Sequence, residues 1–407
     1  MKKIIALLIV AFLFSCNDDD VQQEMVNIAI PELQSKSEFR ASIDISTPQP
    51  IEQAGKIYVY ENYIFVNDAF KGIHVIDNSN PASPQSLAYL KIPGNEDISI
   101  KNDYLYADSS IDLVVFDISD INNIQFVERL EDVFSVYDYQ IPASTEYADF
   151  NYEDLEDNVI VGWTVEQRIK EDENIDIFID TFDTASESGN SVGTGGSLAR
   201  FQIVNDFLYT VGNYEMSIFN ISDLAQPTLT NTQYAGWNIE TMFQADNHLY
   251  LGGTNGMYIY SLENAESPSY VSEFTHWEGC DPVVVDGDYA YLTLRGGNDC
   301  GVEESVLEVI DISDKSQPTL IATYSLDNPY GLGFKGENLF VCDGTSGLKV
   351  FDKTNPLDIQ LMQTFSNIEA LDVIPLNESL LMIGDNIIYQ YEYANGSIEL
   401  ISTFNLN

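Results

Sequence analysis

Short apolar segments with alternating hydrophobic and polar positions recur along this chain, and each ends in a turn signal. Residues 72–81 read GIHVIDNSNP and residues 347–356 read GLKVFDKTNP, so glycine, aspartate and an Asn-Pro pair occupy the same positions in both. Such alternation predicts a half-buried strand. The aspartate favours a turn because its side chain can bond the backbone two residues later, and the proline ends the ladder of strand hydrogen bonds.

The segments recur at a nearly constant spacing. Equivalent positions in the preceding strands are residues 63, 104, 207, 248, 289, 338 and 379, and four of the six steps between them are 41 residues long. Each unit holds about four short strands, such as DPVVVDGD, YAYLTL, LEVIDI and TLIATY in one of them. A four-stranded unit of about 40–45 residues is typical of a propeller blade. The pattern therefore predicts an all-β fold, a β-propeller of four-stranded blades, with seven blades.

One step is much longer than the others, and its additional residues lie at 131–198. The stretch NVIVGWTVEQRIKEDENIDIFIDTF within it predicts either a hairpin insertion or an eighth, degenerate blade, and we favour the insertion. The segment GTGGS at 193–197 lacks the Lys-Ser/Thr pair of a phosphate-binding loop, so we interpret it as a flexible loop.

The N-terminus is typical of an exported protein. Two lysines precede an apolar run at residues 4–14, which is too short to cross a membrane and matches the core of a signal peptide. The sequence LFSC at 13–16 resembles a bacterial lipobox, which implies lipidation of Cys16. The following NDDD resembles the export tag of surface-exposed lipoproteins. We therefore expect a signal peptide at 1–15, an acidic tether at 16–37, a propeller at 38–407, and a lipid-anchored, surface-exposed location on the outer membrane.

The charge balance narrows the class of partner. The chain has 65 acidic and 17 basic residues and a formal net charge of −48. Nucleic-acid binding and docking on anionic lipid both need clustered basic residues, so we expect no nucleic acid and membrane contact only through the lipid. Solubility explains the acidity best. A calcium-stabilised adhesin is an alternative, although no EF-hand spacing is present and we expect no cofactor.

The repeats resemble the LVIVD repeats of bacterial β-propeller lipoproteins, on segments that read LVVFD at 113–117 and LEVID at 307–311. The resemblance extends over roughly residues 55–404 and is strongest at 195–201 and 279–301. It implies the propeller fold and a surface setting. It implies no particular activity, because this family is described by its fold and location.

Three cysteines besides Cys16 remain. Cys280 precedes the first strand of its unit and Cys300 follows the second strand, so both belong at the same end of a blade, where a disulfide is geometrically allowed. A metal site with His276 is the rival interpretation, but the spacing lacks a CxxC pair. Cys342 lies on a strand and reads as a small buried side chain.

No catalytic motif is present: there is no nucleophile elbow, and we interpret the recurring Asp77, Asp117, Asp311 and Asp352 as turn formers. A binding site has more support, because the loops that enter the first strands cluster at one end of a propeller. The binding candidates at that end are Arg200, Trp237, His276, Trp277, Asp281, Arg295 and Tyr330.

The two arginines either pair with local carboxylates or bind an acidic or sugar ligand. We therefore expect a non-enzymatic binding or scaffold protein with a glycan or protein partner. A hydrolase or lyase that acts on acidic polysaccharide is the alternative.

Overall fold

The computed structural model describes residues 25–135, 141–142, 144–149, 151–169, 194–198, 200–276, 282–296, 304–394 and 396–406. The predicted lipidation site Cys16 and the cysteine pair Cys280 and Cys300 lie outside these residues, as do Trp277 and Asp281. All statements below concern the described part of the chain.

The first half of the described chain contains one α-helix, one 3-10 helix and thirteen strands. In chain order these are β1 (Met25–Ser35), α1 (Lys36–Arg40), β2 (Asp44–Ser46), β3 (Ala54–Tyr60), β4 (Tyr63–Asp68), β5 (Gly72–Asp77), β6 (Gln85–Lys91), β7 (Ile98–Lys101), β8 (Tyr104–Ser109), β9 (Asp112–Asp117), β10 (Gln125–Leu130), β11 (Tyr147–Ala148), the 3-10 helix (Tyr152–Leu155), β12 (Asn158–Ile169) and β13 (Thr194–Gly195).

The second half consists of strands alone. They are β14 (Phe201–Val204), β15 (Phe207–Val211), β16 (Glu215–Asn220), β17 (Thr228–Tyr234), β18 (Ile239–Ala245), β19 (His248–Gly253), β20 (Gly256–Ser261), β21 (Ser269–Thr275), β22 (Val283–Asp286), β23 (Tyr289–Leu294), β24 (Val306–Asp311), β25 (Thr319–Ser325), β26 (Leu332–Lys335), β27 (Asn338–Cys342), β28 (Leu348–Asp352), β29 (Gln360–Phe365), β30 (Asp372–Pro375), β31 (Ser379–Gly384), β32 (Ile387–Ala394) and β33 (Ser397–Asn405).

The strands form seven antiparallel blades. Blade 1 is β3–β6, extended by β13 on its inner edge and by β2 on its outer edge, and blades 2 to 7 are β7–β10, β14–β17, β18–β21, β22–β25, β26–β29 and β30–β33. The first strands of consecutive blades contact one another around a closed ring, from β3 through β30 and back to β3. The predicted β-propeller of four-stranded blades is confirmed, with seven blades in the described residues.

Apolar side chains fill the space between neighbouring blades, as the alternating pattern requires. Seven buried clusters each join two adjacent blades around the whole ring. The cluster that closes the ring joins Ile57 of blade 1 to Ile374 and Leu381 of blade 7. No strand is exchanged between these two blades. The closure is therefore held by apolar packing and by a backbone hydrogen bond of 3.1 Å from the Ile51 N–H to the Leu406 carbonyl.

The turns behave as the sequence predicts. The third strands of four blades end at Asp77, Asp117, Asp311 and Asp352, and each of these side chains accepts the backbone N–H two residues later at 2.8–2.9 Å. The hydroxyl of the residue at that position also donates to each carboxylate, and these side-chain hydrogen bonds, together with the backbone ones, lower the pKa of each carboxyl. In all seven blades the pairing of the third and fourth strands contains a register shift, which increases the local twist.

An additional three-stranded sheet corrects the predicted boundaries. Strand β1 pairs in parallel with β11 and antiparallel with β12, so these two strands of the insertion at 131–198 form this sheet with β1 rather than an eighth blade. The predicted tether at 16–37 is wrong from residue 25 onward, since Met25–Ser35 is a strand. Its partner β12 begins more than 120 residues later in the chain. Local sequence patterns do not reveal a pairing between strands so far apart.

The segment that contains α1 is also fixed to blade 2 by charge. The guanidinium of Arg40, at the end of α1, donates two hydrogen bonds of 2.8 Å to the fully buried carboxylate of Asp112, and Arg129 donates another at 2.7 Å. Phe39 packs beside this group against Ile111. The three-stranded sheet and α1 are therefore integral to the folded unit.

Candidate functional site

One end of the propeller, which we call the blade-entry end, collects the loops that run into the first strand of each blade and the turns from second to third strand. Carboxylates at the end of the second strand hold these loops. Asp68, Asp108 and Asp343 each accept two backbone N–H groups of the loop that precedes the first strand of the same blade. These three entry loops are thus fixed by the scaffold, which is a requirement for a preformed site.

A small cleft opens at this end between blades 2 and 3. It is lined by acidic, basic and aromatic side chains, among them Glu96, Asp97, Asp108, Phe134, Arg200 and Glu215. Only Arg200 of this group is a predicted binding candidate. Sequence patterns miss the others because they come from separate blades. An aspartate recurs at the end of the second strand in three blades, as Asp68, Asp108 and Asp343. This recurrence is the sequence signal that would have pointed to Asp108.

Arg200 joins blades 2 and 3. Its Nη1 lies 2.6 Å from Oε2 of Glu96, its Nη2 donates to Asn213 at 3.1 Å, and its backbone N–H donates to Asp97 at 2.8 Å. The side chains of Arg200 and Glu96 are 12% and 8% exposed. Of the two roles predicted for this arginine, pairing with a local carboxylate is the one observed.

The protonation of this cluster is shifted by burial. Desolvation is the largest cause that raises the pKa of Asp108, to about 7, and the negative charge of Glu96 is the second. The backbone hydrogen bonds from Asp97 and Glu96 oppose this shift. Lys56 of blade 1 lies 3.7 Å from Asp97, and desolvation lowers its pKa. Asp108 therefore exchanges its proton near neutral pH.

The chain from 194 to 198 crosses the inner edges of several blades before it enters blade 3. Strand β13 pairs with β3, and the Ser197 hydroxyl accepts the Leu332 N–H of blade 6 at 2.8 Å. Gly196 lies so close to Asp372 of blade 7 that a Cβ there would meet the carboxylate at 1.7 Å. The prediction of a flexible loop at 193–197 is therefore wrong for its described residues, because backbone pairing and this close approach fix the segment.

Arg295 differs from Arg200. It follows the second strand of blade 5 and is 7% exposed, and its guanidinium carbon lies 4.3 Å from the ring centroid of Tyr330 in the loop that enters blade 6. Its buried Nε has no hydrogen-bond partner among the described residues. Tyr330 is held firmly, because its N–H donates to the backbone carbonyl of Cys342 at 2.8 Å and its own carbonyl accepts a hydrogen bond from the Thr293 hydroxyl at 2.7 Å.

Trp237 lies in the loop that enters blade 4. Its side chain is 47% exposed and packs edge-on against Tyr214 at 5.2 Å between ring centroids, while its backbone N–H donates to the Tyr258 hydroxyl at 3.2 Å. His276 lies in the corresponding loop before blade 5, where its N–H donates to the carbonyl of Asn255 at 3.3 Å. The predicted candidates that the structure describes thus all belong to the blade-entry end, spread over several blade interfaces.

Other sequence predictions have mixed outcomes. Cys342 is fully buried on its strand, as expected. The disulfide between Cys280 and Cys300 stays a prediction. Among the described residues, no three His, Cys, Asp or Glu side chains are grouped so that they could hold a metal ion. In the same part of the chain, helices long and apolar enough to span a membrane are absent.

Comparison with known proteins agrees with the repeats and the fold. The LVIVD repeat model matches residues 52–88, 95–132 and 280–325, which correspond to blades 1, 2 and 5. A search of curated proteins found no match.

Solved structures with similar folds include a protein from Lactobacillus plantarum, at 12% identity, 87% coverage of this chain, 96% of that chain and a TM-score of 0.56. The periplasmic gluconolactonase PpgL of Pseudomonas aeruginosa is similar at 10% identity, 89% and 96% coverage and a TM-score of 0.55. Saccharomyces cerevisiae Sqt1 follows at 7% identity, 88% and 86% coverage and a TM-score of 0.53. At such identities the likeness shows the fold alone.

Proposed function

We propose that this β-propeller with LVIVD repeats is a lipid-anchored protein of the outer membrane, exposed on the cell surface, and that it binds a glycan at its blade-entry end without transforming it. The lipobox-like LFSC sequence and the acidic residues after Cys16 support the location. Mass spectrometry of the purified chain tests the anchor, since a diacylglyceryl-modified Cys16 should be the first residue. Protease treatment of intact cells tests the exposure.

The setting of Trp237 carries the binding proposal. A large aromatic side chain that is about half exposed, yet fixed by a ring contact and a backbone hydrogen bond, offers contact area with little loss of conformational freedom on binding. Aromatic faces of this kind suit the apolar faces of sugar rings. A protein partner is the other occupant, and a lack of glycan retention by the wild type would favour it.

The cleft between blades 2 and 3 supports a role without catalysis. Arg200 is bonded to Glu96 and Asn213, and the carboxylates of Asp97 and Asp108 accept backbone N–H groups. Groups that are engaged in this way hold the entry loops in place. A general acid or base, by contrast, must reach a substrate proton within hydrogen-bond distance.

One observation favours the alternative, a hydrolase or lyase that acts on acidic polysaccharide. Asp108, with a pKa near 7, lies in a cleft beside Glu96, and perturbed carboxyl groups in clefts are candidates for acid–base chemistry. Incubation of the chain with uronic-acid polysaccharides, followed by chromatography of the products, separates the two proposals. Turnover that disappears in Asp108→Asn would establish the enzyme.

A glycan array probed with the full chain in detergent tests the binding proposal. We expect retention of a subset of glycans and at least ten-fold weaker retention by Trp237→Ala. Tyr270→Ala is the matched control, because Tyr270 is 54% exposed and packs edge-on against Tyr260 at 5.8 Å, but on the outer strand of blade 4. No retention by the wild type, or equal losses in both variants, would contradict the proposal.

A further inference from the structure

Arg295 is exceptional among the arginines of this very acidic chain. Arg40, Arg129, Arg168 and Arg200 each form an ion pair with a carboxylate, whereas Arg295 forms none among the described residues. With 65 acidic residues available, local pairing would be the ordinary arrangement. A buried guanidinium without a carboxylate is unfavourable, and such unsatisfied groups in folded proteins often mark functional sites.

The geometry around Arg295 is built and leaves part of the guanidinium accessible. One face of the group lies over the ring of Tyr330, 4.3 Å from its centroid. Nε is enclosed and has no hydrogen-bond partner among the described residues, while 7% of the surface of Arg295 stays exposed. Tyr330 is fixed at both its N–H and its carbonyl. The ring thus orients a planar set of donors that a small ligand can approach at the blade-entry end.

We propose that Arg295 and Tyr330 form a subsite that binds the carboxylate of a small sugar acid, a uronate. A guanidinium presents parallel N–H donors that match the two oxygens of a carboxylate, and the Tyr330 ring keeps this fork in a single orientation. The sugar part of the ligand follows from the proposed glycan-binding function, on which this inference rests.

The charge of the chain argues for a small ligand with a single carboxylate. A polyanion would be repelled by a protein of formal net charge −48. At physiological ionic strength, charges further away than about 8 Å are largely screened, so a single carboxylate interacts mainly with the nearby guanidinium. The subsite therefore selects one acidic group on an otherwise neutral sugar.

Titration of the full chain in detergent with glucuronate and with glucose tests the inference. We expect glucuronate to bind at least ten-fold more tightly than glucose, and this preference to fall below two-fold in Arg295→Gln. Arg295→Lys, which keeps the charge and loses the fork, should show an intermediate preference. Arg168→Gln is the control, because Arg168 is 43% exposed and paired with Asp149 and Glu166 in the three-stranded sheet. Its preference should equal that of the wild type.

Equal binding of glucuronate and glucose to the wild type, or an unchanged preference in Arg295→Gln, would overturn the subsite. Should Arg295→Gln fail to fold, Tyr330→Leu removes the ring that orients the guanidinium, and an unchanged preference there would count against the subsite equally. Failure of the subsite can be distinguished from failure of the glycan-binding function. Neutral glycans retained through Trp237 without any effect of Arg295 contradict the subsite alone, whereas no glycan retention contradicts the binding function.

Discussion

Replacing Arg200 with glutamine tests the conclusion that this arginine has a structural role. The Arg200–Glu96 contact of 2.6 Å joins two side chains that are 12% and 8% exposed, so neither charge is well solvated. Removal of one partner from a buried ion pair costs about 3–5 kcal/mol, because the remaining charge stays buried without its partner. We expect about 3 kcal/mol for Arg200→Gln, the lower end of that range, since both groups keep some contact with water.

Urea unfolding of the wild type, Arg200→Gln, Glu96→Gln and the double variant measures this effect and the coupling of the pair. Arg168→Gln is the matched control, because its ion pair is exposed and should contribute less than about 1 kcal/mol. If Arg200→Gln and Arg168→Gln were to lower the free energy of unfolding equally, the structural role of Arg200 would be wrong. Sugar binding by Arg200→Gln should match the wild type under conditions where the variant is folded.

Two further predictions concern the carboxylates of Asp108 and Asp112. The pKa of Asp108 is raised to about 7, above the ordinary value of 3.8, so the folded protein binds this proton more tightly than the unfolded chain, and stability falls as the pH rises from about 4 to about 7. Asp108→Asn should remove about 3 kcal/mol of the stability loss between pH 5 and pH 8, measured by urea unfolding at both values. Asp112→Ala leaves the guanidinium of Arg40 without its buried partner. It should cost about 3–5 kcal/mol and speed hydrogen exchange in α1 relative to blade 5.

The repeat made the blades predictable from the sequence. Each blade is a continuous stretch of about 40 residues, and its turns are set by local features such as the Asp311 side chain that caps the following backbone. The spacing of equivalent strands therefore contains the information on blade number. The three-stranded sheet was not predictable, because β1 pairs with a strand more than 120 residues away and neither strand has a distinctive local pattern.

The candidate site was predictable only as a location. Propeller topology places the entry loops at one end, so Arg200, Trp237, His276, Arg295 and Tyr330 were predicted to belong there. The contrasting roles of the two arginines depend on which carboxylates neighbouring blades supply, and Glu96 lies more than 100 residues before Arg200 in the sequence. Spacing within one repeat contains no information about contacts of this kind.

Hydrogen–deuterium exchange of the full chain, with and without the glycan that it retains most strongly, tests the central claim most directly. If the blade-entry end binds the ligand, exchange should slow in the loops at 235–239 and 327–331 and at residues 292–296, where β23 ends. Exchange in the opposite turns, at 102–103, 246–247 and 287–288, should stay unchanged. Protection confined to those opposite turns, or to the outer strands of the blades, would contradict a binding site at the blade-entry end.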